Sequence, residues 1–251
     1  MKFGVADYGM TVWDGGNYDF LARLEDLKSI GYDGIERLEC ADAADAIYKA
    51  AGFRRMGMDF ATCRGPNAET TLSFTAALGM EYIWHTPGDM TRNVDMDVFL
   101  RRSNRFVEAA ARFGVKSALH NHLGIRIESQ EELDEFMTRC PGAHLLLDIG
   151  HLHGAGGDVI STVEKYFDRI AAVHFKDVFI KDASIGIDRW PERLRFCELG
   201  GGNCGVPWED TARLLKKRGY NKWVLVEHDT HLRDPLEDLA GSLDALKKIF
   251  C

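Results

Sequence analysis

Ser117-Ala118-Leu119-His120, Leu145-Leu146-Leu147-Asp148, Ala171-Ala172-Val173-His174 and Val224-Leu225-Val226-Glu227 decide how this chain is read. Each is a short apolar run that reads as a buried strand, and each ends on a residue type that ligates metals. In a parallel barrel the C-terminal strand ends open onto one shared mouth. Two imidazoles and two carboxylates meeting there would make a mixed N/O site for a divalent cation.

Working outward, strand-like and helix-like patterns alternate along the whole chain. Phe3–Ala6, Gly34–Leu38, Gly57–Thr62 and Glu81–Trp84 read as strands ahead of the four above. Helical patterns lie at Phe20–Ile30, Ala41–Ala51, Ala68–Leu78, Val98–Phe113, Gln130–Thr138, Val159–Phe167, Asp210–Lys217 and Leu236–Phe250. Gly31 and Gly79 are stop signals. Eight strand–helix units predict a (β/α)8 TIM barrel, an α/β fold formed as a single domain over residues 1–251. An open doubly wound sheet is the alternative, but it needs a phosphate-type glycine loop after the first strand. Tyr8-Gly9-Met10-Thr11 is not one. The stretch Val178–Trp208 lacks a clear period and is expected to form loops over the mouth.

Composition narrows the function classes. The 251 residues match the usual size of such a barrel. A formal net charge of -8 argues against a binder of phosphate backbones, so no nucleic-acid partner is expected. No window approaches the length of an apolar membrane span, and the first residues lack the signature of a secretory leader. The six cysteines are scattered without a CxxC pair and read as free thiols of a reducing, cytoplasmic compartment. Cys197 and Cys204 are too widely spaced to signal a thiolate metal site.

Residues i and i+2 of a strand share a face. His120 and His122 therefore point together, as do His174 with Lys176 and Glu227 with Asp229. The expected metal ligands are His120, Asp148, His174 and Glu227. Expected catalytic groups are His122, His151 and Lys176. His151 lies three residues past Asp148 and suits proton transfer or a substrate hydrogen bond. Lys176 would stabilise an oxyanion; the competing reading is a salt bridge to Asp148 or Asp177. Glu36, Arg64, His85 and Asp229 are the expected substrate-side residues. His228 and His231 crowd the last strand end, where Asp229-Thr230 could equally cap a turn. Trp13, Trp84, Trp190 and Trp208 could supply a wall for stacking a sugar.

These motifs resemble the xylose-isomerase-like TIM barrel superfamily of sugar isomerases, epimerases and inosose dehydratases. Leu119-His120-Asn121-His122-Leu123-Gly124 is similar to the His-x-His-x-Gly segment of inosose dehydratase-like members. Leu147-Asp148-Ile149-Gly150-His151, with Ala155-Gly156-Gly157-Asp158 behind it, resembles their Asp-x-Gly-His and Ala-Gly-x-Asp segment. Val173-His174-Phe175-Lys176-Asp177 and Val226-Glu227-His228-Asp229 resemble the two remaining ligand segments. The resemblance implies one divalent metal ion, manganese first with cobalt, iron, zinc or magnesium as alternatives, on Asp148, His174 and Glu227. The epimerases supply a glutamate where this chain has His120. Either His120 replaces that glutamate as fourth ligand or His122 takes part.

Losing one carboxylate of the epimerases' acid/base pair favours a dehydratase or other β-eliminating lyase. The expected reaction passes through a metal-stabilised enediolate of an inosose, 3-keto-sugar or keto-glycoside. A metal-dependent ketose isomerase or epimerase is the first alternative. A non-catalytic sugar-binding or partner subunit of a hetero-oligomeric enzyme is the second. The expected partner is a small-molecule sugar or cyclitol, with a homo-oligomer or partner subunit also open. The endonuclease IV class shares this fold, but it requires a multi-zinc cluster and a DNA-binding surface, which the acidic balance weighs against.

Overall fold

The apolar runs become the staves of a barrel. The computed structural model describes residues 1–6, 20–230 and 232–251. Its parallel strands are β1 (Lys2–Val5), β2 (Gly34–Glu39), β3 (Asp59–Arg64), β4 (Tyr82–Trp84), β5 (Lys116–His120), β6 (His144–Asp148), β7 (Ile170–Phe175) and β10 (Trp223–Val226). They form one eight-stranded sheet in the order β3-β2-β1-β10-β7-β6-β5-β4. Among the described residues no ladder joins β3 to β4, so the barrel is nearly closed. The three residues of β4 are its shortest stave. His85 still donates its N–H to the Ala118 carbonyl at 2.8 Å, but Pro87, two residues on, has no N–H with which to continue.

Burial explains why these strands read as unbroken apolar runs. β7 is buried at all six positions, as a parallel strand covered on both faces must be. Alternation then sorts the side chains. Ala118, Leu146, Ala172 and Leu225 pack together with Ala61 and Tyr82 in one cluster. Each of those four lies two residues before His120, Asp148, His174 or Glu227, on the same face. The barrel floor is therefore apolar and its rim carries the polar groups. The larger cluster, containing Leu119, Leu145, Leu147, Val173, Val224 and Val226, sits between the sheet and the surrounding helices.

The segment expected to be irregular is partly ordered. Residues β8 (Asp177–Ile180) and β9 (Leu194–Cys197) pair antiparallel, with Val178 opposite Phe196 and Phe179 opposite Arg195. A short helix, Trp190–Arg193, lies between them with Pro191 in its first turn. The apolar alternation Val178, Ile180, Leu194 and Phe196 is too short to stand out in sequence, and tertiary cover on Val178 and Phe196 makes the ribbon. A further short helix, Ile149–Gly154, follows β6 directly. Tyr8–Thr11, Trp13 and His231 lie outside the described residues.

Candidate metal centre and the cavity above it

His120, Asp148, His174 and Glu227 come from the ends of β5, β6, β7 and β10. Each offers one ligand atom, and these atoms all lie within 4.8 Å of one another, every residue buried. His120 Nε2 is 3.2 Å from Asp148 Oδ2, and His174 Nδ1 is 3.0 Å from Glu227 Oε2 and 3.5 Å from Asp148 Oδ2. Lys176, fully buried, reaches the same oxygens: its Nζ lies 2.9 Å from Asp148 Oδ2 and 3.3 Å from Asp229 Oδ2, and it also pairs with Glu227. Of the partners expected for a Lys176 salt bridge, the structure therefore pairs it with Asp148, beside the centre.

Local chain chemistry aims these groups. Asp148 Oδ1 accepts the N–H of His151 at 2.8 Å and caps the short helix that follows, leaving Oδ2 for the centre. Asn121 donates through Nδ2 to the Asp148 carbonyl and accepts the Asp148 N–H through Oδ1, both at 2.9 Å. That pair fastens the end of β5 to the end of β6, and the sequence reading passed over Asn121 between its two histidines. Gly150 is as constrained as Asn121. A Cβ there would sit 2.3 Å from Lys176 Cγ, so the glycine makes room for the Lys176 stem.

Glu36 is drawn to the back of His174. It is fully buried within β2. Its Oε2 accepts from His174 Nε2 at 3.0 Å, and its Oε1 accepts from Trp84 Nε1 at 2.7 Å and Tyr82 OH at 3.3 Å. A carboxylate on the far nitrogen fixes the tautomer and presents Nδ1 to the centre. Arg64 and His85 are not brought to the mouth at all. Arg64 lies 3.1 Å from Glu39, its side chain half-exposed. His85 follows the inward Trp84 by one residue and so turns outward. There Nδ1 meets Ser117 Oγ and Nε2 meets Ser103 Oγ, both at 2.8 Å, with the ring against Phe99, Phe106 and Phe136. His228 likewise bonds Ser242 at 3.1 Å on the last helix.

The electrostatics suit a cation. Burial alone would raise the carboxyl groups of Asp148 and Glu227, but Lys176, and for Glu227 also His174, hold both well below the usual range. Burial likewise opposes the charge on His174, yet Glu36 and Glu227 raise it well above its ordinary value. Burial raises Asp229 to about 7, with Lys176 opposing and Glu227 and Asp148 adding to the rise. A metal ion on His120 and His174 needs both imidazoles neutral. The buried carboxylates of Glu36, Asp148 and Glu227 against the one ammonium of Lys176 then leave two negative charges, to which Asp229 adds when it is ionised. Buried charge must be compensated. A divalent ion on this mixed N/O donor set would cancel it, so the residues fit such an ion.

Above the centre lies a cavity of about 500 Å³ whose lining includes His120, His122, Trp84, Trp190, Phe196 and Asp229. The ribbon expected over the mouth supplies Trp190, Pro191 and Phe196 to this lining. Trp208 is instead partly buried against the core. His122 and His151 are stacked, ring centroids 3.6 Å apart. His122 Nδ1 donates to the Leu123 carbonyl at 2.6 Å, so Nε2 is left to accept. His151 Nδ1 accepts the Leu123 N–H at 3.3 Å, so Nε2 carries the proton in the neutral ring. That Nε2 is buried without a hydrogen-bond partner among the described residues. Burial lowers the pKa of both rings, His122 to about 4 and His151 well below its ordinary value, with Lys176 adding to each.

A parallel barrel with a buried His/Asp/His/Glu centre at its strand ends defines a class of protein. Residues 66–249 match the family described as xylose isomerase-like TIM barrel, and the chain belongs to it. The inosose dehydratase of Bacillus licheniformis is 34% identical over 143 residues, 53% of this chain and 47% of that protein. The chain spans about half the length of the curated relatives it matches. Two solved structures share the fold. The probable 3-DHS dehydratase AsbF involved in petrobactin synthesis from Bacillus anthracis has a TM-score of 0.76 at 14% identity, over 98% of this chain and 99% of that one. The IolI protein, solved with a bound zinc atom, has a TM-score of 0.72 at 16% identity, over 100% and 98%. No described helix is long and apolar enough to cross a membrane.

Proposed function

We propose that this chain is a divalent-metal-dependent lyase that removes water, or another β-substituent, from an inosose or keto-sugar. The observation that carries the reading is the convergence of His120, Asp148, His174 and Glu227 within 4.8 Å beneath a cavity of sugar size. The similarity to inosose dehydratases supports it.

A divalent cation on those four residues would polarise the substrate carbonyl and favour negative charge on its oxygen. The chain's own groups do the proton work. His122 Nε2, the ring nitrogen left to accept, removes the proton from the carbon next to the carbonyl. His151 Nε2–H, a buried donor without a partner, gives its proton to the β-hydroxyl, which departs as water. Electrons of the broken C–H bond become the new C=C bond, conjugated with the carbonyl. Lys176 stabilises the negative charge that develops between these steps. Trp190 presents an apolar wall to the ring of the substrate, and Asp229 accepts from its hydroxyls.

Purified protein should bind about one equivalent of manganese, cobalt, iron, zinc or magnesium, and an Asp148→Ala/Glu227→Ala variant should not. Turnover of an inosose should generate the absorbance of an unsaturated ketone. A wild-type protein that takes up no metal after incubation would overturn the reading. Solvent deuterium entering a recovered isomer without loss of water would assign a ketose isomerase or epimerase instead.

A further inference from the structure

The rim of the cavity carries charge that the reaction above does not use. Arg37, Lys181 and Arg195 all line it, in a chain whose net charge is -8. The Arg37 guanidinium carbon lies over Trp84, 3.9 Å from the ring centroid, on the barrel side. Arg195 stacks over Phe179 at 4.7 Å on the ribbon side. Phe179 pairs with Arg195 across the ribbon, and Lys181 is two residues beyond Phe179, so Lys181 and Arg195 share one ribbon face. Lys181 donates to the Pro191 carbonyl at the ribbon's tip. Neither Lys181 nor Arg195 faces a carboxylate at ion-pair distance among the described residues.

The carboxylates that do line the cavity are held from below. Glu227 pairs with Lys176 and His174, and Asp229 with Lys176. With a divalent ion on the centre, the charge of Glu36, Asp148 and Glu227 is balanced, and Lys181 and Arg195 remain on the ribbon side as a surplus of cations. A neutral polyol gives such a surplus nothing to pair with. We infer that the substrate of this site is anionic, a keto-sugar or keto-cyclitol bearing a carboxylate or phosphate that lies at the ribbon while the carbonyl lies at the centre. Stacking on Phe179 leaves the Arg195 N–H edges free to take a carboxylate or phosphate in two parallel hydrogen bonds. Lys181 adds a second positive charge beside them. The substrate class rests on the lyase reading; the anion preference itself can be measured without turnover.

The test is calorimetric titration of manganese-loaded protein with D-glucuronate, D-glucose 6-phosphate and D-glucose. One anion is expected to bind about tenfold or more tightly than glucose, with a preference that falls as salt rises. Which anion does so separates carboxylate from phosphate. A Lys181→Gln/Arg195→Gln variant should lose the preference while its manganese affinity is unchanged. Equal binding of all three sugars, no binding of either anion, or a preference that survives the double variant would overturn the inference. A wild-type protein that binds no manganese sinks the lyase reading separately, and the sugar titration on that protein still reads the anion preference.

Discussion

Replacing Glu36 by Gln should weaken metal binding without touching a ligand. In the wild-type chain Glu36 uses one oxygen for His174 Nε2 and the other for Trp84 Nε1 and Tyr82 OH. All of these donors come from groups packed around a carboxylate with no exposure. A glutamine can turn its carbonyl oxygen towards only one side, so its NH2 must meet a donor on the other. The charge that makes the His174 imidazole a strong Nδ1 donor is lost in either orientation. Hydrogen bonds to charged groups are worth about 1.5–3 kcal/mol, which corresponds to about 10- to 100-fold in a binding constant. Loss of a carboxylate behind a ligating histidine typically costs the same range. Competition of manganese and zinc against a chromophoric chelator reads the constant, with circular dichroism to confirm the fold. A folded Glu36→Gln protein that binds metal as tightly as the wild type would refute the argument.

The remaining expectations follow from the same geometry. His151→Ala should keep its metal and lose about 10²-fold or more in turnover, the usual worth of a general acid or base; full activity would remove His151 from the reaction. Gly150→Ala puts a methyl group into the Lys176 stem and should lower turnover by moving Nζ off Asp148, with wild-type rates as the opposing result. Burial drives the His85 pKa down to about 3. The unfolded chain takes up a proton below about 6.5 and the folded one does not until about 3, so stability is complete above 6.5 and falls by about 1.4 kcal/mol per pH unit beneath it. His85→Gln should flatten the fall of Tm between those limits, and an unchanged slope would show that His85 is not responsible. Metal at about 100 times its Kd should raise stability by about 2.7 kcal/mol, an increase that a chelator removes.

The sequence by itself determined the barrel and the four residues at its rim. Unbroken apolar runs such as Leu145–Leu147 survive only where a strand is covered on both faces, and a polar residue where the run stops marks the strand's end. Both signals are local. Alternation then placed Lys176 with His174 and Asp229 with Glu227, because a period of two needs no knowledge of neighbours. Only the tertiary structure decided what faces what. Glu36 lies within an early strand, and Arg64 and His85 lie at the ends of the next two. One sits behind His174, one pairs with Glu39, and one is boxed between serines and phenylalanines. Whether such a residue points into a barrel depends on the parity of its own strand. That parity is set by the register with the next strand, Arg64 opposite Glu39 or His85 bonded to Ala118, and not by the residues around it. The ribbon at 177–197 escaped for a related reason. Its pairing energy comes from covering Val178 and Phe196 over the barrel mouth, a partner that exists only once the barrel has closed.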